Sequence, residues 1–216
     1  MKNILGQDLE AAEAIAAEMA DPWLISRILP RREALSSSAI EGTHSTLDEL
    51  LAIEEDGAGS LDEDAHEAAA QVRGYALGLE AFMPEARARG RAVFDLHLVQ
   101  ALHRLVMKDS RGYADVPGEL RQTVVWIGGR DIAYSVYNPA PPEDVPRCLE
   151  DSLAFMRGEG REAVHSSLLA RMAVSHAHFE AVHPFRDGNG RVGRLLLPLM
   201  MAADGHLPLF LSPFIE

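Results

Sequence analysis

The sequence predicts a mainly α-helical domain interrupted by one small β-hairpin. Three observations carry that reading. Apolar residues recur three and four apart through most of the 216 residues. The period switches to a β-type run only between Leu120 and Asn138. No internal repeat or low-complexity tract divides the chain.

Each element follows from its own pattern. Asp8 to Met19 is rich in alanine and glutamate and aligns Leu9, Ala12, Ile15, Ala16 and Met19, which predicts a helix. Pro22 suits the first turn of a second, short helix through Trp23, Ile25 and Ile28. Ser36 to Glu54 is expected to follow as one helix, closed by the Asp56-Gly57-Ala58-Gly59-Ser60 break. Asp62 to Met83 reads as one long helix that tolerates Gly74 and Gly78 and ends near Pro84. Phe94 to Met107 spaces Leu96, Val99, Leu102, Leu105 and Val106 for a core face. Val124 to Ile127, a Gly128-Gly129-Arg130 turn and Ile132 to Tyr137 form the expected hairpin. Helices from Glu143 to Met156, Val164 to Ala181 and Arg191 to Ala203 complete the chain.

Composition narrows the function classes. A 47% hydrophobic content supports a substantial core, and a formal charge of −13 argues against a general nucleic-acid or membrane surface. The single cysteine, Cys148, excludes an internal disulfide and CxxC-type metal sites; it reads as a buried thiol on a helix. The N-terminus lacks a signal-peptide pattern, and the apolar run Leu195 to Ala203 is too short for a membrane span. A cytoplasmic protein is the expectation.

The chemistry concentrates in His183-Pro184-Phe185-Arg186-Asp187-Gly188-Asn189-Gly190-Arg191-Val192-Gly193-Arg194. A glycine-rich turn feeding an apolar helix presents free backbone N–H groups, which bind phosphate. Gly188 and Gly190 let the backbone approach phosphate oxygens, and the Asn189 amide can donate to them. Asp187 is open to two readings, a turn carboxylate or a magnesium ligand beside a polyphosphate. Arg191 and Arg194 lie on one side of a helix, either solvated or turned to the phosphates. His183 stands where it can take a proton from a nucleophile. His176, His178 and His183 do not share one helix face, so a zinc site is disfavoured. Phe185 is expected to anchor the loop in the core, and Arg186 to lie at the surface.

This segment matches the signature HxFx[D/E]GNGRxxR at every defined position and so resembles the Fic family. The resemblance implies a Fic-type helical domain with a small β-hairpin flap. It implies a protein adenylyltransferase that moves AMP from ATP, with Mg2+, to a Ser, Thr or Tyr hydroxyl of a target protein, self-modification included. His183 would be the base, with Gly188, Asn189, Gly190, Arg191 and Arg194 on the phosphates and Asp187 on the metal. Gly188 and Gly190 fit the AMP-transferring branch, because kinase-like relatives tend to carry lysine at the latter position.

Ser37, Glu41 and Gly42 in Leu35-Ser36-Ser37-Ser38-Ala39-Ile40-Glu41-Gly42-Thr43 resemble the family's inhibitory pattern [S/T]xxxE[G/N]. Glu41 would then pair with Arg194 in place of the γ-phosphate; Ser37 would bond within its own helix, and Gly42 would leave room for a neighbour. The implied organisation is an N-terminal helical segment over 1–60 and a Fic core over 61–216, with the flap at about 121–138 and the signature loop at 183–194. Val125, Trp126, Ile127 and Gly128 would belong to a target-docking flap, or to a plain structural hairpin. Relatives of this kind commonly continue past the last residues seen here. Two alternatives stay open: removal of AMP from a modified protein, and a non-enzymatic nucleotide-binding module of toxin–antitoxin type.

Overall fold

The fold was obtained as a computed structural model, which describes residues 22–56, 61–160 and 166–206. The helix expected over 8–19 lies outside them, as do residues 57–60 of the expected break. Seven α-helices are formed among the described residues: α1 (Pro22–Ile40), α2 (Leu47–Asp56), α3 (Glu63–Arg89), α4 (Leu96–Met107), α5 (Val145–Arg157), α6 (Leu168–Val182) and α7 (Asn189–Ala203).

Local capping explains most boundaries. Asp62 accepts from the Ala65 amide at 2.8 Å, and Asp95 from the Leu98 amide at 2.8 Å, so α3 and α4 start where a carboxylate can satisfy free N–H groups. Gly158 closes α5 in the left-handed region, φ +81°. α3 runs on to Arg89 through Pro84 instead of ending near it.

The expected helix from Ser36 to Glu54 is two helices, and α1 instead runs unbroken through the buried Pro30. The break has two causes. Gly42 adopts φ +83°, and its amide and that of Thr43 turn back onto the Ala39 and Ser38 carbonyls at 2.9 and 3.0 Å. Thr46 then restarts the chain with a reciprocal cap. Its hydroxyl accepts from the Glu49 amide at 3.2 Å, while Glu49 accepts from the Thr46 amide at 2.7 Å.

α7 is the axis of the fold. It packs against α3, α6, α4 and α1, and buries Val192, Leu195, Leu196, Leu199 and Met200. Leu79 and Tyr75 of α3, Val99 and Leu102 of α4 and Phe179 of α6 complete the same core. Each such leucine contributes about 1.5–3 kcal/mol by leaving water. Gly74 is needed where α3 crosses α4, because a Cβ there would run into the Leu105 carbonyl. At the far end Asp204 pairs with both Arg91 and Arg171, tying the end of α7 to α6 and to the turn after α3.

The expected hairpin does not form strands among the described residues. Ile127 and Tyr137 make one isolated antiparallel bridge, with the Ile127 amide donating to the Tyr137 carbonyl at 2.9 Å. The second expected arm is instead a short 3-10 turn, Ile132–Tyr134, capped by Asp131. Val124, Trp126, Ile132, Tyr134 and Val136 are all exposed, so neither face of the segment buries a core. A β-type pattern without a face to bury is not enough to zip a ladder. No helix among the described residues is long and apolar enough to cross a membrane.

Candidate active site

The signature loop joins the C-terminus of α6 to the N-terminus of α7. His183 ends α6 in the left-handed region, φ +50°, the one non-glycine with positive φ among the described residues. Its amide still donates to the Phe179 carbonyl at 2.9 Å. Nδ1 lies 3.3 Å from the Glu180 carbonyl, which directs the ring hydrogen to Nδ1 and leaves Nε2 with the free lone pair. Burial, aided by the nearby Arg121 charge, holds its pKa below the ordinary histidine value.

Phe185 and Asn189 lock the turn. The Asn189 side chain accepts from the Phe185 amide and donates to the Phe185 carbonyl, both at 2.9 Å, and is 2% exposed. The amide expected to donate to phosphate is therefore closed on the loop's own main chain. Gly188 begins α7 at φ +75°, and the Asp187 carboxylate caps its amide at 2.6 Å while staying exposed to solvent.

Neither signature arginine is a solvated surface residue. Arg191 is 4% exposed and reaches Gln71 at 3.3 Å and the Met107 sulfur at 3.2 Å. Arg194 is 9% exposed and faces α1. Its Nε donates to the Ser37 hydroxyl at 2.8 Å; one terminal nitrogen donates to the Ser37 carbonyl at 2.9 Å and the Glu41 carboxylate at 2.7 Å. Ser37 thus binds Arg194 directly, through both its hydroxyl and its carbonyl. Gly42 has open space around its α-carbon, so its left-handed φ is what the position requires. The room is left by Gly190, where a Cβ would collide with the Glu41 carboxylate.

Arg186 is exposed and pairs with Asp115 at 3.3 Å. The three nearby histidines point apart. His178 contacts the Ser152 hydroxyl at 2.5 Å, whereas His176 faces Glu180 at 4.0 Å beneath Gly193.

The Glu180 Oε1 and His176 Nδ1 atoms are buried without a hydrogen-bond partner among the described residues. Burial drives the Glu180 carboxyl up to about 7, although the Arg194 charge opposes it. Glu180 therefore stabilises the fold most below its unfolded value of 4.5, and that contribution is lost as pH rises through about 7. Glu180→Gln should match the parent in urea at pH 4.5 and exceed it at pH 8; equal midpoints at both would contradict this reading.

Two residues escaped the sequence reading. Arg121 is 1% exposed and donates to four carbonyls: His183 (2.7 Å), Thr123 (2.9 Å), Ala140 (2.5 Å) and Val182 (3.2 Å). It neutralises the carbonyl end of α6 and binds both ends of the 121–138 segment to it. Arg121→Ala should cost about 2–4 kcal/mol in urea unfolding, since it orphans several buried carbonyls. His103 is fully buried in α4, with its ring stacked on Phe185 at 3.7 Å and its Nε2 3.1 Å from the Asp187 carbonyl. Only their position among apolar or glycine-containing stretches marks either residue, and that signal is weak.

Comparison with known proteins agrees with this geometry. Residues 93–201 match the Fic/DOC family and residues 7–80 the Fic/DOC family N-terminal region. "Protein adenylyltransferase fic-1" of Caenorhabditis briggsae is 36% identical over 112 residues, which are 51% of this chain and 20% of that protein. "Probable protein adenylyltransferase aq_aa38" of Aquifex aeolicus is 37% identical over 71 residues, 33% of this chain and 21% of that one. The matched segments thus span about a fifth of these relatives. The crystal structure of a Fic family protein from Desulfovibrio desulfuricans superposes with a TM-score of 0.65 at 28% identity, covering 90% of this chain and 54% of its own. A loop of this sequence, on helices of this arrangement, with matches over both halves, leads to one assignment: the chain belongs to the Fic/DOC family.

Proposed function

We propose that the chain is a protein adenylyltransferase that moves AMP from ATP to a hydroxyl of a target protein and is restrained by Glu41. The observation that carries the reading is the shared guanidinium. Arg194, in the phosphate-binding signature, is already held by Ser37 and Glu41 from α1. The names of the two relatives given above, "Protein adenylyltransferase fic-1" and "Probable protein adenylyltransferase aq_aa38", support the reaction class.

The chemistry follows from the loop. The target hydroxyl oxygen forms a bond to the α-phosphorus, the bond from that phosphorus to the bridging oxygen breaks, and pyrophosphate leaves. His183 Nε2 receives the hydroxyl proton. The Gly188 to Gly190 turn and the start of α7 receive the phosphates, and Arg191 and Arg194 meet their charge. An Mg2+ brought in with ATP fits the donor set. Asp187, whose carboxylate is exposed beside the Gly188 amide, is the residue that would hold it. Its contribution when bound is to neutralise phosphate charge.

In this reading 1–60 is the inhibitory segment and 61–216 the catalytic core, working in the cytoplasm. The segment with Val125, Trp126, Ile127 and Gly128 offers an exposed apolar edge for an extended target segment. The test is intact-mass analysis of Glu41→Gly after incubation with ATP and Mg2+. One adenylyl increment, lost when His183→Ala is added, supports the reading; ATP binding with no increment on any offered protein overturns it.

A further inference from the structure

The peptide unit between Asp187 and Gly188 is pinned from both sides. Its N–H is capped by the Asp187 carboxylate at 2.6 Å, and its carbonyl meets His103 Nε2 at 3.1 Å. Such a unit would otherwise flip easily, because a flip changes the ψ of Asp187 together with the φ of Gly188, and Gly188 tolerates either sign of φ. The loop cannot be stiffened by a side chain at Gly188. A Cβ there would meet the Met107 sulfur at 2.7 Å. The N–H side of this peptide is held from within the loop, and its carbonyl side is held from outside it.

His103 is built for that task. The Gly118 amide donates to its Nδ1 at 2.7 Å, which forces the hydrogen onto Nε2 and makes that atom a donor to the Asp187 carbonyl. The ring is stacked on Phe185 and meets Tyr113 edge-on at 5.7 Å, so it cannot rotate away. The contact crosses 84 positions, from α4 to the loop.

We propose that His103 is a positioning residue that holds the 187–188 peptide against flipping and so aims the Asp187 carboxylate. The proposal rests on the adenylyltransferase reading for its kinetic consequence, not for its structural one. Outer partners of ligating groups typically carry about 10–100-fold effects.

Two variants separate the two hydrogen bonds. In His103→Asn the side-chain oxygen replaces Nδ1, keeping Gly118 but losing Asp187. In His103→Gln the side-chain nitrogen replaces Nε2, keeping Asp187 but losing Gly118. Both lose the stacked ring. In the Glu41→Gly background, His103→Asn should lower kcat for AMP transfer about tenfold or more, with KM for ATP changed less than about threefold, and His103→Gln should restore most of it. Amide hydrogen exchange over 185–190 should be faster in the Asn variant than in the Gln variant. Equal exchange in the two overturns the proposal. If Glu41→Gly transfers no AMP at all, the adenylyltransferase reading fails, and the exchange comparison alone decides the role of His103.

Discussion

Glu41→Gly is expected to raise the initial rate of AMP incorporation about 10- to 100-fold over the parent chain. The estimate follows from the contact removed. A hydrogen bond to a charged group contributes about 1.5–3 kcal/mol, and each 1.4 kcal/mol is about a tenfold change in occupancy. The Glu41 side chain is 35% exposed, which places the effect toward the lower end through solvent screening. Arg194 keeps both bonds to Ser37 in the variant, so α1 stays docked and the thermal midpoint should move little. Glu41→Gln tests charge against shape, since it preserves the side-chain outline over Gly190 and should release only part of the restraint. The measurement is the initial rate by intact mass at saturating ATP. A Glu41→Gly rate no higher than the parent's removes the restraint from the account.

The sequence disclosed much of this site because its two halves are written in short-range patterns. The signature lies within twelve consecutive residues, and helix periodicity locates the start of α3 and both ends of α4 to α7 to within a few positions. Glu41 and Arg194 were paired by resemblance alone, and they meet at 2.7 Å. What stayed hidden lies in partner choice across distance. Helical spacing says that a residue is buried, not what it touches. Arg121 reaches His183 across 62 positions and His103 reaches Asp187 across 84, so no local rule could link them. Ser37 bonds to Arg194 and Asn189 to the Phe185 main chain, contacts that depend on how the loop closes. The split between α1 and α2 is legible in the sequence. Thr46 and Glu49 form a capping pair at the usual spacing, and Gly42 precedes it. The 121–138 segment misled for the opposite reason. Its residues favour strands, but Val136 is 85% exposed and packs no core.

If the chain is the adenylyltransferase proposed above, removing His183 should have the largest effect of any single change. In the Glu41→Gly background, substituting His183 should lower the rate about 100- to 10,000-fold, the usual contribution of a positioned general base. Alanine alone is an ambiguous probe, because His183 sits at φ +50°, where a residue with a Cβ is held at some cost. Asparagine tolerates that backbone and offers no base, so His183→Asn keeps the turn and removes only the chemistry. If His183→Asn is as inactive as His183→Ala while its thermal midpoint stays near the parent's, the loss is catalytic. The pH profile supplies a second check. With the folded pKa below the ordinary 6.5, Nε2 is unprotonated at neutral pH, so kcat/KM should rise with pH through a midpoint below 6.5 and then level off. That acid limb should vanish in both variants. A profile that keeps the limb without His183, or a variant within tenfold of the background, would move the base to another residue.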